Sequence, residues 1–148
     1  MVAVTAIGVR DAVPAADWPS AVRAAAGPLV ELGAASAEYP EACVAMVERH
    51  GPYIVLTPGL ALVHARPEDG GLSVGVAVSR LAEPVVFGHP DNDPVDLLLA
   101  FSSPDADSHV AALSTVAKAL SAGLADRLRA ARDDDELATL VKEALTDV

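Results

Sequence analysis

The spacing of apolar and polar positions changes twice along the chain, marking helix, then sheet, then helix. Residues 17–33, DWPSAVRAAAGPLVELG, open with Asp17 as a helix cap and Pro19 in the first turn. Gly27-Pro28 is expected to break or kink this helix, because proline removes an N–H and crowds the preceding turn. Residues 36–50, SAEYPEACVAMVERH, predict a second helix with Pro40 in its first turn and Gly51 as its stop. The pattern then becomes strand-like. YIVL (53–56) and ALVHA (61–65) flank the turn Thr57-Pro58-Gly59, and PEDGG (67–71) forms a loop. LSVGVAVSR (72–80) alternates, PVVF (84–87) makes a further strand, and GHPDNDP is a loop. VDLLLAFSS (95–103) is almost continuously apolar, as in a strand covered on both faces.

Helical patterns return after that strand. One helix starts near Asp107 or Ser108 and carries Val110, Leu113, Val116 and Leu120; a shorter one covers 124–131. The last, DDDELATLVKEAL, sets Leu137, Leu140, Val141 and Leu145 on one face, with Asp133 to Asp135 complementing the helix dipole at its start. Helices before and after a run of strands predict an α/β or α+β domain with helices over a central sheet.

Composition narrows this picture. The 148 residues suit one domain, and a 52% apolar but only 3% aromatic chain must build its core from Ala, Val and Leu. Trp18, Tyr39, Tyr53, Phe87 and Phe101 are its few large pieces. Ten basic against 21 acidic residues give a net charge of −11, which argues against nucleic acid and anionic membrane surfaces and favours basic partners. The lone Cys43 permits neither an intramolecular disulfide nor a cysteine metal cluster. MVAVTAIGVRDAVPAA lacks a basic start and is interrupted by Arg10 and Asp11, so it does not read as a signal peptide. The longest apolar runs are too short to span a bilayer, and a cytoplasmic protein is expected.

The candidate chemistry lies in four histidines. Alternation puts His64 on one face with Leu62, opposite Ala61, Val63 and Ala65. Core neighbours favour a structural imidazole satisfied by a hydrogen bond. Arg66 on the same face and the loop that follows favour a site at a strand end. These residues alone leave both readings open. His109 falls in the first turn of a helix, where free backbone N–H groups hold anions and the dipole keeps imidazole neutral, but it equally suits an exposed polar position. Arg49 and His50 end a helix and complement its dipole. His89 with Asp91 and Asp93 is a weak metal pattern and reads as turn and cap chemistry, so no metal is expected. P-loop, GxGxxG, nucleophile-elbow and HExxH motifs are missing.

Two longer stretches carry more. GPYIVLTPGLALVHARPEDG (51–70) resembles the active-site region of phosphotransferase-system EIIA components of the mannitol–fructose superfamily, above all the ascorbate-type branch with its pattern GPYxVxxPGxAxPHxRPExG. FGHPDNDPVDLLLAFSSPDADSHVAAL (87–113) resembles the same branch in DNDPVD and in the histidine after a strand. The segments DWPSAV and DDDELATLV also have family counterparts, so the resemblance covers nearly the whole chain.

The resemblance implies a single α/β domain over 1–148: a sandwich with a mixed central sheet of about five strands, covered by helices on both faces. It implies that His64 takes a phosphoryl group from phospho-HPr and passes it to a cysteine of EIIB, for uptake of ascorbate or a related small sugar or polyol. The membrane EIIC takes part only indirectly, and no cofactor is implied. His109 would help hold the phosphoryl group, while Arg49, ahead of the motif, and Arg66, within it, are further candidates. A homodimer is compatible with such a chain. One departure stands out: Val63 replaces the proline that usually precedes the active histidine. The alternatives are a regulatory module, in which phosphorylation controls a partner rather than transport, and an inactive scaffold.

Overall fold

The computed structural model describes residues 4–146. In chain order the elements are β1 (Ala6–Val13), α1 (Trp18–Glu31), α2 (Tyr39–His50), β2 (Val55–Thr57), β3 (Leu60–Val63), a 3₁₀ turn (Pro67–Asp69), β4 (Gly75–Val85), β5 (Val95–Ser102), α3 (Ala106–Ser121), α4 (Leu124–Ala130) and α5 (Asp134–Thr146). One mixed sheet has the order β1-β4-β5-β3-β2. The pairs β1–β4 and β3–β5 are parallel, while β4–β5 and β2–β3 are antiparallel.

Side-chain alternation divides the core between the two sheet faces. Ala61, Val63, Ala77, Leu98 and Ala100 pack under α1 and α2. Leu60, Leu62, Val76, Val78, Leu97, Leu99 and Phe101 pack under α3, α4 and α5. The central strands are therefore apolar on both sides, as the run at 95–103 predicts. This is the expected α/β sandwich with five strands.

Several element assignments differ from expectation. The apolar leader-like segment supplies β1, an edge strand that the pattern analysis does not assign. The separate strands expected at 72–80 and 84–87 are one strand, β4, whose pairing with β5 is irregular between Arg80 and Val85. Irregular pairing leaves room for Pro84, which cannot donate to a ladder. Gly27-Pro28 does not end α1, which continues to Glu31 with Pro28 inside. Gly8 on β1 makes the room: a Cβ there would come 3.0 Å from the Pro28 Cβ. On α3 the buried stripe is Ala112, Val116 and Ala119, whereas Val110 and Leu113 are exposed.

The caps fall near their expected places. The Asp17 carboxylate accepts the Ser20 N–H, and the Asp133 carboxylate accepts the Glu136 N–H. Helix α3 begins slightly earlier than expected, with Asp105 accepting the Ser108 N–H at 2.8 Å.

Candidate active site

Parallel neighbours end at the same edge of a sheet, so whatever follows β3 lies beside whatever follows β5. Val63 pairs with Ala100, the last matched pair of this ladder. His64 is the next residue along one strand and Phe101 along the other. Their rings stack with centroids 5.1 Å apart and planes 20° apart. The chain then leaves β5 through Ser103 and turns into α3, whose first turns carry His109. The His64 and His109 rings are 5.7 Å apart, and His109 also lies 5.2 Å from Phe101. The two histidines, 45 positions apart in sequence, meet because β3 and β5 are parallel.

The His64 tautomer follows from its neighbours. Its Nδ1 is 3.0 Å from the Leu62 carbonyl oxygen. A carbonyl only accepts, so Nδ1 carries the proton and Nε2 keeps a free lone pair. Leu62 donates its own N–H to the Ile54 carbonyl on the β2 side, just before β2 begins. Val63, one residue on, therefore faces its backbone groups toward β5, and valine keeps an N–H that proline would lack.

Burial holds the His64 pKa below its usual 6.5; the Leu62 bond works against this and nearby His109 adds to it. His109 is also lowered, by burial, with Glu68 pulling the other way. Both rings are neutral at pH 7. The His109 Nδ1 lies 3.3 Å from the Ser103 hydroxyl. Tyr53 stands edge-on to His64 at 6.1 Å and meets His50 in the same manner at 6.0 Å.

The other candidates lie around this pair or away from it. The Arg66 guanidinium grips Asp69 through Nε and Nη2 at 3.0 and 3.1 Å, fixing the 3₁₀ turn. Arg66 is thus committed to Asp69 in the loop that follows His64. Arg49 is exposed at the end of α2. The Asp69 carboxyl is held low chiefly by Arg66, with Arg49 contributing. His89 accepts the N–H groups of Asp91 and Asn92 at Nδ1, and Asp93 accepts those of Phe87, Gly88 and His89. That loop is turn chemistry, and among the described residues no group of three or more His, Cys, Asp or Glu is placed to hold a metal.

Sequence patterns do not identify the Leu62 carbonyl, Ser103 or the stacking role of Phe101. The first is a backbone atom, and the others matter only once β5 lies beside β3. Tyr53 lies in the quoted motif, yet its contact with His64 has no local signature.

A ring nitrogen free to attack, on a neutral imidazole stacked in place beside a second one, equips a protein to take a group on histidine and give it away. Residues 6–144 match the family model described as phosphoenolpyruvate-dependent sugar phosphotransferase system, EIIA 2, and the chain belongs to that family. It is a phosphotransferase component, a phosphoryl carrier of a sugar phosphotransferase system.

Among curated relatives, the ascorbate-specific PTS system EIIA component of Shigella boydii is 38% identical over 135 residues, covering 90% of this chain and 88% of the relative. Its namesake in Escherichia coli K12 is 36% identical with the same coverage. The solution structure of the mannitol-specific cryptic phosphotransferase enzyme IIA from Escherichia coli superposes with a TM-score of 0.81 at 30% identity, covering 92% of each chain. The motif resemblance and the fold it implies are thus borne out.

Proposed function

We propose that His64 is the phosphoryl carrier and that Nε2 is the atom that takes the group. The observation that carries this is the Leu62 carbonyl holding Nδ1–H at 3.0 Å, which leaves Nε2 as the free nucleophile of a neutral ring. The Nε2 lone pair attacks phosphorus while the bond to the HPr histidine nitrogen breaks, and that nitrogen keeps the electron pair. In the second transfer an EIIB cysteine thiolate attacks the same phosphorus, and Nε2 departs with its pair. Leu62 favours retention of the Nδ1 proton in the phosphorylated ring, and a protonated imidazole leaves more readily. The protein's part is positioning and charge stabilisation.

His109 supports the transferred group. It is neutral before transfer, and a phosphoryl dianion beside it raises its pKa toward the imidazolium form. Arg49 is a second source of positive charge near the loop. Tyr53, Val110 and Leu113 are exposed apolar side chains on segments that flank the histidines, and they offer HPr and EIIB a surface to cover. The substrate class is ascorbate or a related small sugar or polyol, supported by the names of the relatives at 36–38% identity. The sugar itself binds the membrane EIIC. The cytoplasm is the expected location, and no helix among the described residues is long and apolar enough to cross a membrane.

The test is to phosphorylate the protein with phospho-HPr and record long-range ¹H–¹⁵N spectra of the histidine rings. Phosphorus on Nε2 of His64 is the expected result. Phosphorus on Nδ1, or on another histidine, would overturn the assignment.

A further inference from the structure

The two backbones that bear the His64 site share one hidden support. Tyr39, in the first turn of α2, is 1% exposed and lies on the sheet face opposite the His64 ring. Its hydroxyl accepts the Ala65 N–H at 3.1 Å and donates to the Phe101 carbonyl at 2.7 Å. The same hydroxyl is 3.4 Å from the Ala65 carbonyl. Ala65 directly follows His64, and Phe101 carries the ring on which His64 stacks. One oxygen thus joins the strand ends just where the parallel ladder has stopped at Val63 and Ala100. Beyond that point only this bridge, among the described hydrogen bonds, ties the Ala65 N–H and the Phe101 carbonyl together. The loop after the site rests on the same residue: a Cβ on Gly70 would come 3.4 Å from the Tyr39 Cβ and 3.5 Å from its Cδ1.

We propose that Tyr39 is a positioning residue for phosphoryl transfer: its hydroxyl fixes the distance between the end of β3 and the end of β5, and with it the seating of the His64 ring on Phe101 and on the Leu62 carbonyl. This rests on the reading of His64 as carrier. Without the hydroxyl, a buried N–H and a buried carbonyl lose their shared partner, and the strand ends move to satisfy them elsewhere. Small displacements of a nucleophile cost large factors in rate. The hydroxyl touches neither phosphorus nor the imidazole, so its effect passes through ring placement.

The experiment compares the full-length wild type with Tyr39→Phe and with Val141→Ala, a core truncation on α5, an element that supplies no residue to the site. Each is measured at a temperature where it is fully folded. Single-turnover transfer from phospho-HPr is one readout, and the ¹H–¹⁵N spectrum of the unphosphorylated His64 ring is the other. Tyr39→Phe is expected to lower the transfer rate at saturating donor about 10- to 100-fold, to leave the apparent KM for phospho-HPr little changed, and to replace the single Nδ1–H pattern with a mixture of tautomers. Val141→Ala is expected to do none of these.

Transfer at the wild-type rate, a slower rate with an unchanged ring spectrum, or a loss shared by Val141→Ala would each overturn the proposal. The ring spectrum needs no phosphoryl donor. A wild type that accepts no group would therefore count against His64 as carrier while Tyr39's hold on the ring is still read directly.

Discussion

The imidazole of His64 is half-buried, its Nδ1–H is committed to Leu62, and in the proposed transfer its reactive atom is a nitrogen that protonation would block. Burial places the folded pKa below 6.5, so the nucleophilic form persists at pH 7 and is lost only as pH falls further. The transfer rate from phospho-HPr should fall toward low pH with a midpoint below 6.5. A pH–rate profile checks this, and a decline centred above 6.5 would mean that the ring is not the shielded, neutral one described. The same shift has a stability side. Below 6.5 the unfolded chain binds protons that the folded His64 and His109 resist, so the two rings withdraw stability as pH falls.

Among the elements, α3 carries both His109 and the exposed Val110, which is 67% accessible. Apolar spacing along this helix points to Val110, Leu113, Val116 and Leu120. The helix instead packs Ala112, Val116 and Ala119 on the sheet and turns the larger residues outward, where a partner can cover them. Val110→Glu should therefore shift stability by no more than about 0.5 kcal/mol while raising the KM for phospho-HPr. Thermal unfolding and transfer kinetics check both parts, and an unchanged KM would remove Val110 from the docking surface.

Elements with end signals are legible in the sequence: Asp17 accepts the N–H expected of a cap and the acidic start of α5 holds its cap in Asp133, whereas the Asp105 cap of α3 lies ahead of the start expected at Asp107 or Ser108. The edge strand β1 is not, because Gly8, Arg10 and Asp11 break its alternation and the reason for Gly8 is a proline on another element. The site follows the same division. His64 and His109 stand in recognisable motifs, whereas their meeting depends on parallel pairing and the choice of nitrogen depends on a backbone carbonyl.

For the whole molecule, the net charge of −11 sets how it meets a donor that presents its histidine among basic residues, as the family resemblance implies for HPr. Association should slow as salt rises from about 0.01 to 0.15 M and the Debye length shrinks from ~30 to ~8 Å. Stopped-flow transfer at several ionic strengths measures this, and a flat dependence would contradict steering by charge. The central claim is that one imidazole carries the phosphoryl group, and the direct test uses labelled phosphoenolpyruvate with Enzyme I and HPr on wild type and His64→Ala. The account predicts label on the wild type, none on His64→Ala, and passage of the label to EIIB. Label on His64→Ala, or none on the wild type with HPr shown to be charged, would contradict it.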